Sequence, residues 1–367
     1  MRLISLSLRN YRNYGRLDFE PNSSLTLCLG LNGQGKTNLL ESVSLLALSS
    51  SPRTRRESEL IGPMGSIAVI RAEIDSGNRR REISISIQFS QEANRNGYKI
   101  RKLIEVDGQK CRAVDLPGIF RVSLFWPDDL NLAKSGPEHR RRLLNQILVQ
   151  IKPGYATTLS RYKRVVEQRN SLLKQIWMRE RSVGDLEVWN IEMVKLGGDI
   201  VQARSELVAD ISTKAAAAHS EISGGENLEI DYLGPGDDLD SALAASLDED
   251  LRRGSCSVGP HRDDLRIQIN GRDARSFASQ GQQRTAVIGI KLGEFAVLYE
   301  KTSEPPMLLL DDVLSELDLK RRSALFRYIS ASGQVLVTAT DTDFFPESMI
   351  KNSKVYNVYS GELKLCG

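Results

Sequence analysis

The chain has 367 residues, 40% of them hydrophobic and 26% charged, which is typical of a folded, soluble protein with about two domains. No apolar run reaches the roughly 18 residues that a membrane-spanning helix needs, and no secretory signal pattern opens the chain, so we expect a cytoplasmic protein. The four cysteines and three histidines form no zinc-binding pattern. The net charge of +3 is compatible with nucleic-acid binding but does not require it.

The first third of the sequence predicts a β-rich region that contains one helix, Lys36–Leu48. β-branched and other apolar residues, several in alternation, predict strands at Leu3–Leu8, Leu25–Leu29, Ile67–Ile74, Arg81–Phe89 and Lys99–Val106. Asp107-Gly108, directly after the last of these strands, is typical of a tight turn.

The middle third is predicted to be helical from about residue 137 to residue 219. Two long helices are expected, over Tyr155–Arg181 and Asp185–Ala218. Apolar residues of the second recur at the spacing of one helix face, at Leu186, Trp189, Met193, Leu196 and Ile200. The heptad pattern is too short and irregular for a long coiled coil. Ser223–Asp240, rich in Gly, Asp and Pro, then leads out of the helical part.

The final third returns to strands and helices in alternation. Strands are predicted at Leu265–Ile269, Met307–Leu310 and Gln334–Thr338, helices at Gly281–Lys301 and Asp318–Ser330, and a hairpin turn at Asn270-Gly271. We therefore predict a split α/β domain, residues 1–125 and 256–367, with a mainly helical insertion domain at residues 126–255.

A phosphate-binding loop follows the strand Leu25–Leu29. The pattern GxxxxGK(S/T) is matched by Gly30, Leu31, Asn32, Gly33, Gln34, Gly35, Lys36 and Thr37. Backbone amides of such a loop surround the phosphates of a nucleotide, and the helix that follows directs its positive end at the same anion. Lys36 is expected to reach the β- and γ-phosphates, and Thr37 to ligate Mg²⁺.

An apolar strand, Met307–Leu310, ends in two adjacent carboxylates, Asp311 and Asp312. Two carboxylates side by side repel each other unless a cation or solvent relieves them. We expect Asp311 to hold Mg²⁺, directly or through water, and Asp312 to orient the attacking water in ATP hydrolysis.

Two Ser-Gly motifs compete for the role of the signature that distinguishes ABC-type ATPases from other phosphate-loop proteins. Ser223-Gly224-Gly225-Glu226 looks closer to LSGGQ, but a strand-like segment, Leu228–Leu233, follows it, so we interpret it as a turn. The second motif opens a long predicted helix shortly before the acidic strand, and its candidate nucleotide-binding residues are Ser279, Gln280, Gly281 and Gln282. In ABC dimers this site faces the γ-phosphate that the other subunit holds.

These motifs predict an α/β fold in which an ABC-type P-loop ATPase head with a mixed β-sheet carries an inserted, mainly helical domain. Ser315-Glu316-Leu317-Asp318 resembles the D-loop that crosses the dimer interface of such proteins. Thr338-Ala339-Thr340 occupies the position where many of them place a switch histidine.

The combination resembles the bacterial RecF family of DNA-repair proteins over nearly the whole chain. The resemblance rests on GLNGQGKT, SQGQQRT, LLLDDVLSELD and the opening LRNYRNY, with FWPDDL at 125–130 and GPHRDD at 259–264 as further matches. It implies a recombination mediator that recognises gapped DNA with RecR, with RecO in the same pathway. It also implies assistance in loading RecA at single-strand gaps during repair, replication restart and the SOS response.

The resulting hypothesis is an ATP-dependent homodimer that binds duplex or gapped DNA and hydrolyses ATP slowly, as a switch. Arginine clusters at Arg53, Arg55 and Arg56, at Arg79–Arg81 and at Arg140–Arg142 are candidates for backbone contacts to duplex DNA. Aromatic residues make up only 6% and are not interleaved with these clusters, which argues against stacking on unpaired bases.

Two other functions are alternatives to this hypothesis. An SMC-like structural or DNA-end-processing ATPase would need a long coiled coil or a nuclease subunit, and the insertion is too short for the coiled coil. The ATPase subunit of a transporter would need a membrane partner and usually an LSGGQ motif and a switch histidine, where this chain has Thr340. A GTPase is excluded because the NKxD base-recognition motif is missing.

Overall fold

The computed structural model describes residues 1–77, 79–94, 97–236 and 238–366. The strands are β1 Arg2–Tyr11, β2 Tyr14–Phe19, β3 Leu25–Leu29, β4 Ile67–Ser76, β5 Arg79–Asn94, β6 Gly97–Val106, β7 Gln109–Cys111, β8 Val122–Phe125, β9 Leu228–Leu233, β10 Asp264–Ile269, β11 Arg272–Asp273, β12 Met307–Asp311, β13 Val335–Ala339, β14 Ser353–Tyr359 and β15 Glu362–Leu365. The helices are α1 Lys36–Leu48, α2 Asn131–Lys134, α3 Pro137–Ile151, α4 Tyr155–Trp177, α5 Glu187–Ser223, α6 Leu239–Ala245, α7 Leu247–Arg253, α8 Ala274–Phe277, α9 Gln280–Thr302, α10 Leu319–Ala331 and α11 Glu347–Lys351.

The chain divides into two compact units. The first unit comprises Met1–Asp129 and Glu294–Gly367, and the second comprises Leu130–Gly293. The predicted second boundary, at residues 255 and 256, differs from the observed one because β10 pairs with β9 of the helical unit and the first part of α9 packs against α5. Over the described residues, no helix is long and apolar enough to cross a membrane.

Two six-stranded sheets build the first unit. One is antiparallel, in the order β2-β1-β4-β5-β6-β7. The other has the order β15-β14-β3-β13-β12-β8, and its strands are parallel except for the edge strand β15. The buried Gln334 side chain joins the two sheets, because it accepts a hydrogen bond from the Leu3 N–H at 2.7 Å and donates to the Leu3 carbonyl at 2.9 Å.

Helix α1 contacts strands of both sheets, β4 and β5 of the first and β8, β12 and β13 of the second. All of its residues except Thr37 and Asn38 are buried. A helix that is covered on all sides needs apolar residues around its whole circumference, and the run Leu39–Leu48 supplies them. The helix that follows the phosphate-binding loop is therefore locked into the core of this unit.

The second unit consists of helices α2–α8, the first part of α9 and the three-stranded antiparallel sheet β11-β10-β9. Its core contains two charged pairs as well as apolar side chains. Arg169 and Asp250 are both fully buried and lie 2.6 Å apart. Arg204 and Asp263, 3.0 Å apart, are both 2% exposed. The first pair ties α4 to α7, and the second ties α5 to the segment between α7 and β10, which carries most of the GPHRDD motif.

Candidate functional site

The phosphate-binding loop lies between β3, whose five residues are all buried, and the start of α1. Its glycines adopt conformations that other residues rarely take, with φ of 80° at Gly33 and 115° at Gly35. A side chain at Gly35 would collide with Asn13, whereas the space around Gly33 is open. The loop is thus packed tightly from behind and accessible from the side that a phosphate group would approach.

The Lys36 side chain folds back over this loop. Its ammonium group donates hydrogen bonds to the carbonyl oxygens of Gly30 and Leu31, the latter at 3.0 Å. Burial lowers the pKa of Lys36, while the nearby Asp312 and Asp311 counteract that effect. The Lys36 ammonium group therefore lies directly over the loop, where it would meet a bound phosphate.

Asp311, the last residue of β12, lies beside the first turn of α1. The Thr37 hydroxyl is 2.9 Å from Oδ2 of Asp311, and the Thr338 hydroxyl is 2.7 Å from its Oδ1. Burial raises the pKa of Asp311, and the hydrogen bonds from the two threonines oppose this rise. The structure thus brings together Thr37 and Asp311, the two residues predicted to bind the metal, although 274 residues separate them in sequence.

Asp312 has a left-handed backbone conformation, with φ of 50°. Its N–H donates to the Thr338 carbonyl at 3.2 Å and lies 3.1 Å from the Thr338 hydroxyl. In the part of the chain that the structure describes, its buried Oδ1 has no hydrogen-bond partner. A buried carboxylate oxygen without a partner is costly unless a ligand, ion or water satisfies it.

The oxygen atoms of this cluster fit Mg²⁺. A hydroxyl and carboxylates are the ligands that this hard cation prefers, and Mg²⁺ commonly takes only one or two of them from the protein and the rest from phosphate and water. Thr37 and Asp311 would hold it, and the unsatisfied Oδ1 of Asp312 lies on the next residue.

The opening motif LRNYRNY braces the phosphate-binding loop. The Tyr14 hydroxyl donates to the Gly35 carbonyl, and the Asn13 amide donates to the Gln34 carbonyl, both at 2.9 Å. Asn38, in the first turn of α1, donates to the Asn13 side chain at 2.7 Å. In the sequence, this motif supported only the family resemblance. The signal for its role was the presence of polar Asn and Tyr side chains directly after the predicted strand Leu3–Leu8.

A buried ion pair anchors α1 from the same segment. The Arg12 guanidinium donates two hydrogen bonds to Glu41, at 2.9 and 2.8 Å, and the Glu41 side chain is fully buried. Arg53 lies 3.6 Å from Glu41, and its guanidinium faces the Trp126 ring at 5.9 Å from the ring centre. The positive charge of Arg53 opposes part of the rise that burial causes in the pKa of Asp311. Arg53, a candidate for DNA contacts in the sequence, therefore lies near the nucleotide site.

The signature candidate opens α9 in the second unit. Ser279 and Gln282 form reciprocal hydrogen bonds: the Gln282 N–H donates to the Ser279 hydroxyl at 3.2 Å, and the Ser279 N–H donates to Oε1 of Gln282 at 2.9 Å. This arrangement is a capping box, which fixes the start of a helix. Ser279 and Gln280 are exposed there, and Gly281 follows them in the first turn.

The competing Ser-Gly motif is a turn, as predicted. Helix α5 ends at Ser223, and Gly224 and Gly225, with φ of 86° and 110°, donate their N–H groups to the Ser220 carbonyl. Left-handed glycines that bond to the last carbonyls are a common way for a helix to end. Strand β9 then begins at Leu228.

Thr338, inside β13, and Thr340, directly after it, have different environments. Thr338 is buried and bonded to the acidic pair, whereas Thr340 is exposed. In the D-loop candidate, the Ser315 hydroxyl donates to the Asp312 carbonyl at 2.7 Å. The Leu317 carbonyl accepts from Arg322, whose guanidinium lies over the Phe344 ring at 4.9 Å. Arg322 thus connects the segment after β12 with the segment after β13.

The arginine clusters separate into structural and exposed members. Arg140 is 5% exposed and forms two hydrogen bonds with Asp264, so it stabilises the second unit. Arg141 donates to the Asp263 carbonyl at 2.6 Å. Arg79 and Arg80 are largely exposed on β5, where they lie near Asp107 and Glu73.

Comparison with known proteins identifies the family. The family model described as "RecF/RecN/SMC N terminal domain" matches residues 2–364. The DNA replication and repair protein RecF of Chloroflexus aurantiacus is 36% identical over 98% of both chains, and that of Bacillus cereus strain B4264 shows the same identity and coverage. The chain belongs to the RecF family of DNA replication and repair proteins.

Solved structures agree with this assignment. The structure of "the recombination mediator protein RecF-ATPrS in RecFOR pathway" has a TM-score of 0.89 and 31% identity, and covers 100% of this chain and 98% of that chain. The corresponding RecF-ATP structure has a TM-score of 0.88, also at 31% identity. An Smc head bound to the C-winged helix domain of ScpA has a TM-score of 0.53 at 15% identity and shares the fold alone. The predicted ABC ATPase fold with mixed sheets is thus confirmed.

Proposed function

We propose that this protein is an ATP-switched recombination mediator, whose two copies close over ATP and thereby present a DNA-binding surface. The observation that carries the proposal is the contact of Thr37 with Asp311 beside the loop that Lys36 covers. It unites a phosphate-binding loop with an acidic strand end in one unit. The two RecF structures described as containing ATP and an ATP analogue are similar over nearly their full length.

Within one subunit, we expect the amides of residues 30–37 to bind the phosphates and Lys36 to move from the loop carbonyls to the β- and γ-phosphates. When bound through Thr37 and Asp311, Mg²⁺ supplies charge neutralisation at the phosphates. Thr338 keeps Asp311 oriented through its 2.7 Å hydrogen bond. Asp312, held by its N–H bonds to Thr338, orients the water that attacks the γ-phosphate.

Ser279, Gln280, Gly281 and Gln282 of a second copy would complete the site. The exposed start of α9 is a helix N-terminus, and such an end attracts an anion. The γ-phosphate of the first subunit would therefore draw two ATP-bound subunits together. Since ADP lacks that phosphate, hydrolysis followed by phosphate release would separate the two subunits. Slow, DNA-stimulated turnover would then determine how long the dimer persists.

We assign the pathway from the two RecF structures, which are described as belonging to the RecFOR pathway. In a RecFOR-type pathway this protein would recognise duplex and gapped DNA together with RecR, with RecO and RecA acting at the same single-strand gaps. Contacts to DNA would be made mainly to the phosphate backbone, so binding should weaken steeply with salt.

The deciding experiment is light scattering with ADP and with ATP, each with and without duplex DNA. We expect a monomer with ADP, a dimer with ATP, and tighter duplex binding by the dimer. Lys36→Met should bind ATP poorly, whereas Ser279→Arg should bind ATP as a monomer and fail to dimerise. A wild-type protein that stays monomeric with ATP bound, or a Ser279→Arg variant that still dimerises, would refute the composite site.

A further inference from the structure

The turn after α5 touches the signature segment through one carboxylate. Nε2 of Gln282 donates to Oε1 of Glu226 at 2.6 Å. The second oxygen of the same carboxylate lies 3.7 Å from Nε2 of His219, a fully buried residue of α5. Glu226 thus lies between the end of α5 and the start of α9.

This contact sets the orientation of the Gln282 amide. A carboxylate only accepts hydrogen bonds, so it requires the NH₂ end of the amide to face Glu226. The carbonyl end then faces the Ser279 N–H, which donates to it at 2.9 Å. If the amide turned round, its NH₂ group would face another donor and the capping box would lose one of its two hydrogen bonds.

The two helices on either side of this contact approach closely. A Cβ atom added at Gly289 would lie 3.0 Å from Cβ of His219, and one added at Gly293 would lie 3.0 Å from the Ala215 nitrogen. Two glycines four residues apart lie on one face of α9, so they let its backbone contact α5 directly. The end of α5, and with it Glu226, is therefore held at a defined place relative to the first turn of α9.

We infer that Glu226 is a positioning residue for the signature segment: it orients Gln282, and through it Ser279, for the γ-phosphate of a second copy. The inference rests on the proposed composite site. It gives the Ser223-Gly224-Gly225-Glu226 turn a role in that site without any contact to nucleotide, because its two glycines end α5 and bring Glu226 to Gln282.

The test compares the dimer dissociation constant in ATP for Glu226→Ala and Glu226→Gln. The alanine variant lacks the acceptor and should dimerise at least about tenfold more weakly, since a hydrogen bond to a charged group is lost in both sites of each dimer. The glutamine variant retains an acceptor oxygen and should stay within about threefold of wild type. Binding of ATP to the monomer should be unchanged in both. Glu229→Ala, which removes an exposed carboxylate three residues away, is the matched control and should behave as wild type.

A second pair of variants keeps the inference testable if Glu226→Ala does not fold. Gln282→Glu retains a capping-box residue but places a carboxylate against Glu226, so dimerisation should fall. Adding Glu226→Gln should restore it at least in part, because the new amide can donate to the new carboxylate. Equal dimerisation of the single and double variants would overturn the inference.

The outcomes distinguish a failure of the role of Glu226 from a failure of the composite site. If Ser279→Arg is monomeric while Glu226→Ala dimerises like wild type, the composite site stands and the role of Glu226 is refuted. If Ser279→Arg dimerises normally, the proposed function fails and the inference fails with it.

Discussion

The Tyr14 hydroxyl donates a 2.9 Å hydrogen bond to the carbonyl of Gly35, one residue before the lysine of the phosphate-binding loop. Tyr14 is fully buried, and burial raises the pKa of its phenol far above the ordinary value, so this group always carries its proton and always donates. The conformation of Gly35 thus depends on a residue that starts the neighbouring strand β2.

Tyr14→Phe should weaken ATP binding without abolishing it. The variant removes one hydrogen bond but preserves the ring, so a loss of about 1 kcal/mol, or roughly fivefold in affinity, is expected. Titration with a fluorescent ATP analogue measures it. Tyr359→Phe, at a residue that is 73% exposed, is the control. Equal affinities for the two variants would show that the loop needs no brace from β2.

Asp312→Asn should bind ATP normally and hydrolyse it poorly. Asparagine has the shape of aspartate but cannot orient water as a charged acceptor, so turnover should fall by about two orders of magnitude. The ATP-bound dimer should consequently persist. Phosphate release and light scattering over time measure the two effects. Rapid dissociation of this variant in ATP would assign the catalytic role to another residue.

Glu41→Gln should destabilise the first unit strongly. It replaces the buried carboxylate with an uncharged amide, so the Arg12 guanidinium loses its buried counter-charge, and breaking such an ion pair costs about 3–5 kcal/mol. The matched control is Asp18→Asn, which breaks the exposed pair with Arg9 and should cost at most about 1 kcal/mol. Urea unfolding gives both values. Similar costs for the two variants would contradict the structural role given to the Arg12–Glu41 pair.

His261 should make the second unit sensitive to mild acid. Burial lowers its pKa from 6.5 to about 4, helped by the charges of Arg262 and Arg141. Between these values the unfolded chain binds a proton that the folded chain does not, so stability falls as pH drops from 6.5 towards 4. At about 1.4 kcal/mol per pKa unit, the loss is on the order of 3 kcal/mol.

The variant His261→Asn checks this assignment. Its side-chain oxygen can take the place of Nδ1, which lies 2.9 Å from the Tyr162 hydroxyl. Denaturant unfolding between pH 4 and pH 7 should show a flatter pH dependence than wild type. An unchanged slope would mean that other groups cause the acid sensitivity.

The elements that carry motifs were predictable from the sequence to within one residue at each end. Leu25–Leu29 and Lys36–Leu48 coincide with β3 and α1, because a phosphate-binding loop requires a strand before it and a helix after it. The acidic strand end and the start of α9 were found in the same way. The contact between Thr37 and Asp311 was predictable because the two motifs assign both residues to one Mg²⁺ site. No local sequence pattern links the two residues.

The supporting contacts were not predictable. Arg12 and Glu41 are 29 residues apart, and no local pattern pairs a strand-end arginine with a glutamate inside a buried helix. Strands β2 and β8 were missed, because β2 mixes charged and apolar residues and β8 has only four residues. The boundary at residue 293 was missed because helix α9 runs through it without a break in periodicity or composition.

The left-handed backbone at Asp312 restricts which residues can occupy this position. With φ of 50°, the chain takes a shape that asparagine and aspartate tolerate better than other side chains with a Cβ atom. Glutamate would add one methylene group and would have the backbone strain that most residues with a Cβ atom have in the left-handed conformation. Among acids, the position therefore selects the shorter one, and substitutions that keep the fold should begin with Asn and Gly. The identity of the carboxylate that we propose as catalytic is thus determined as much by the bend of the main chain as by the chemistry proposed for it.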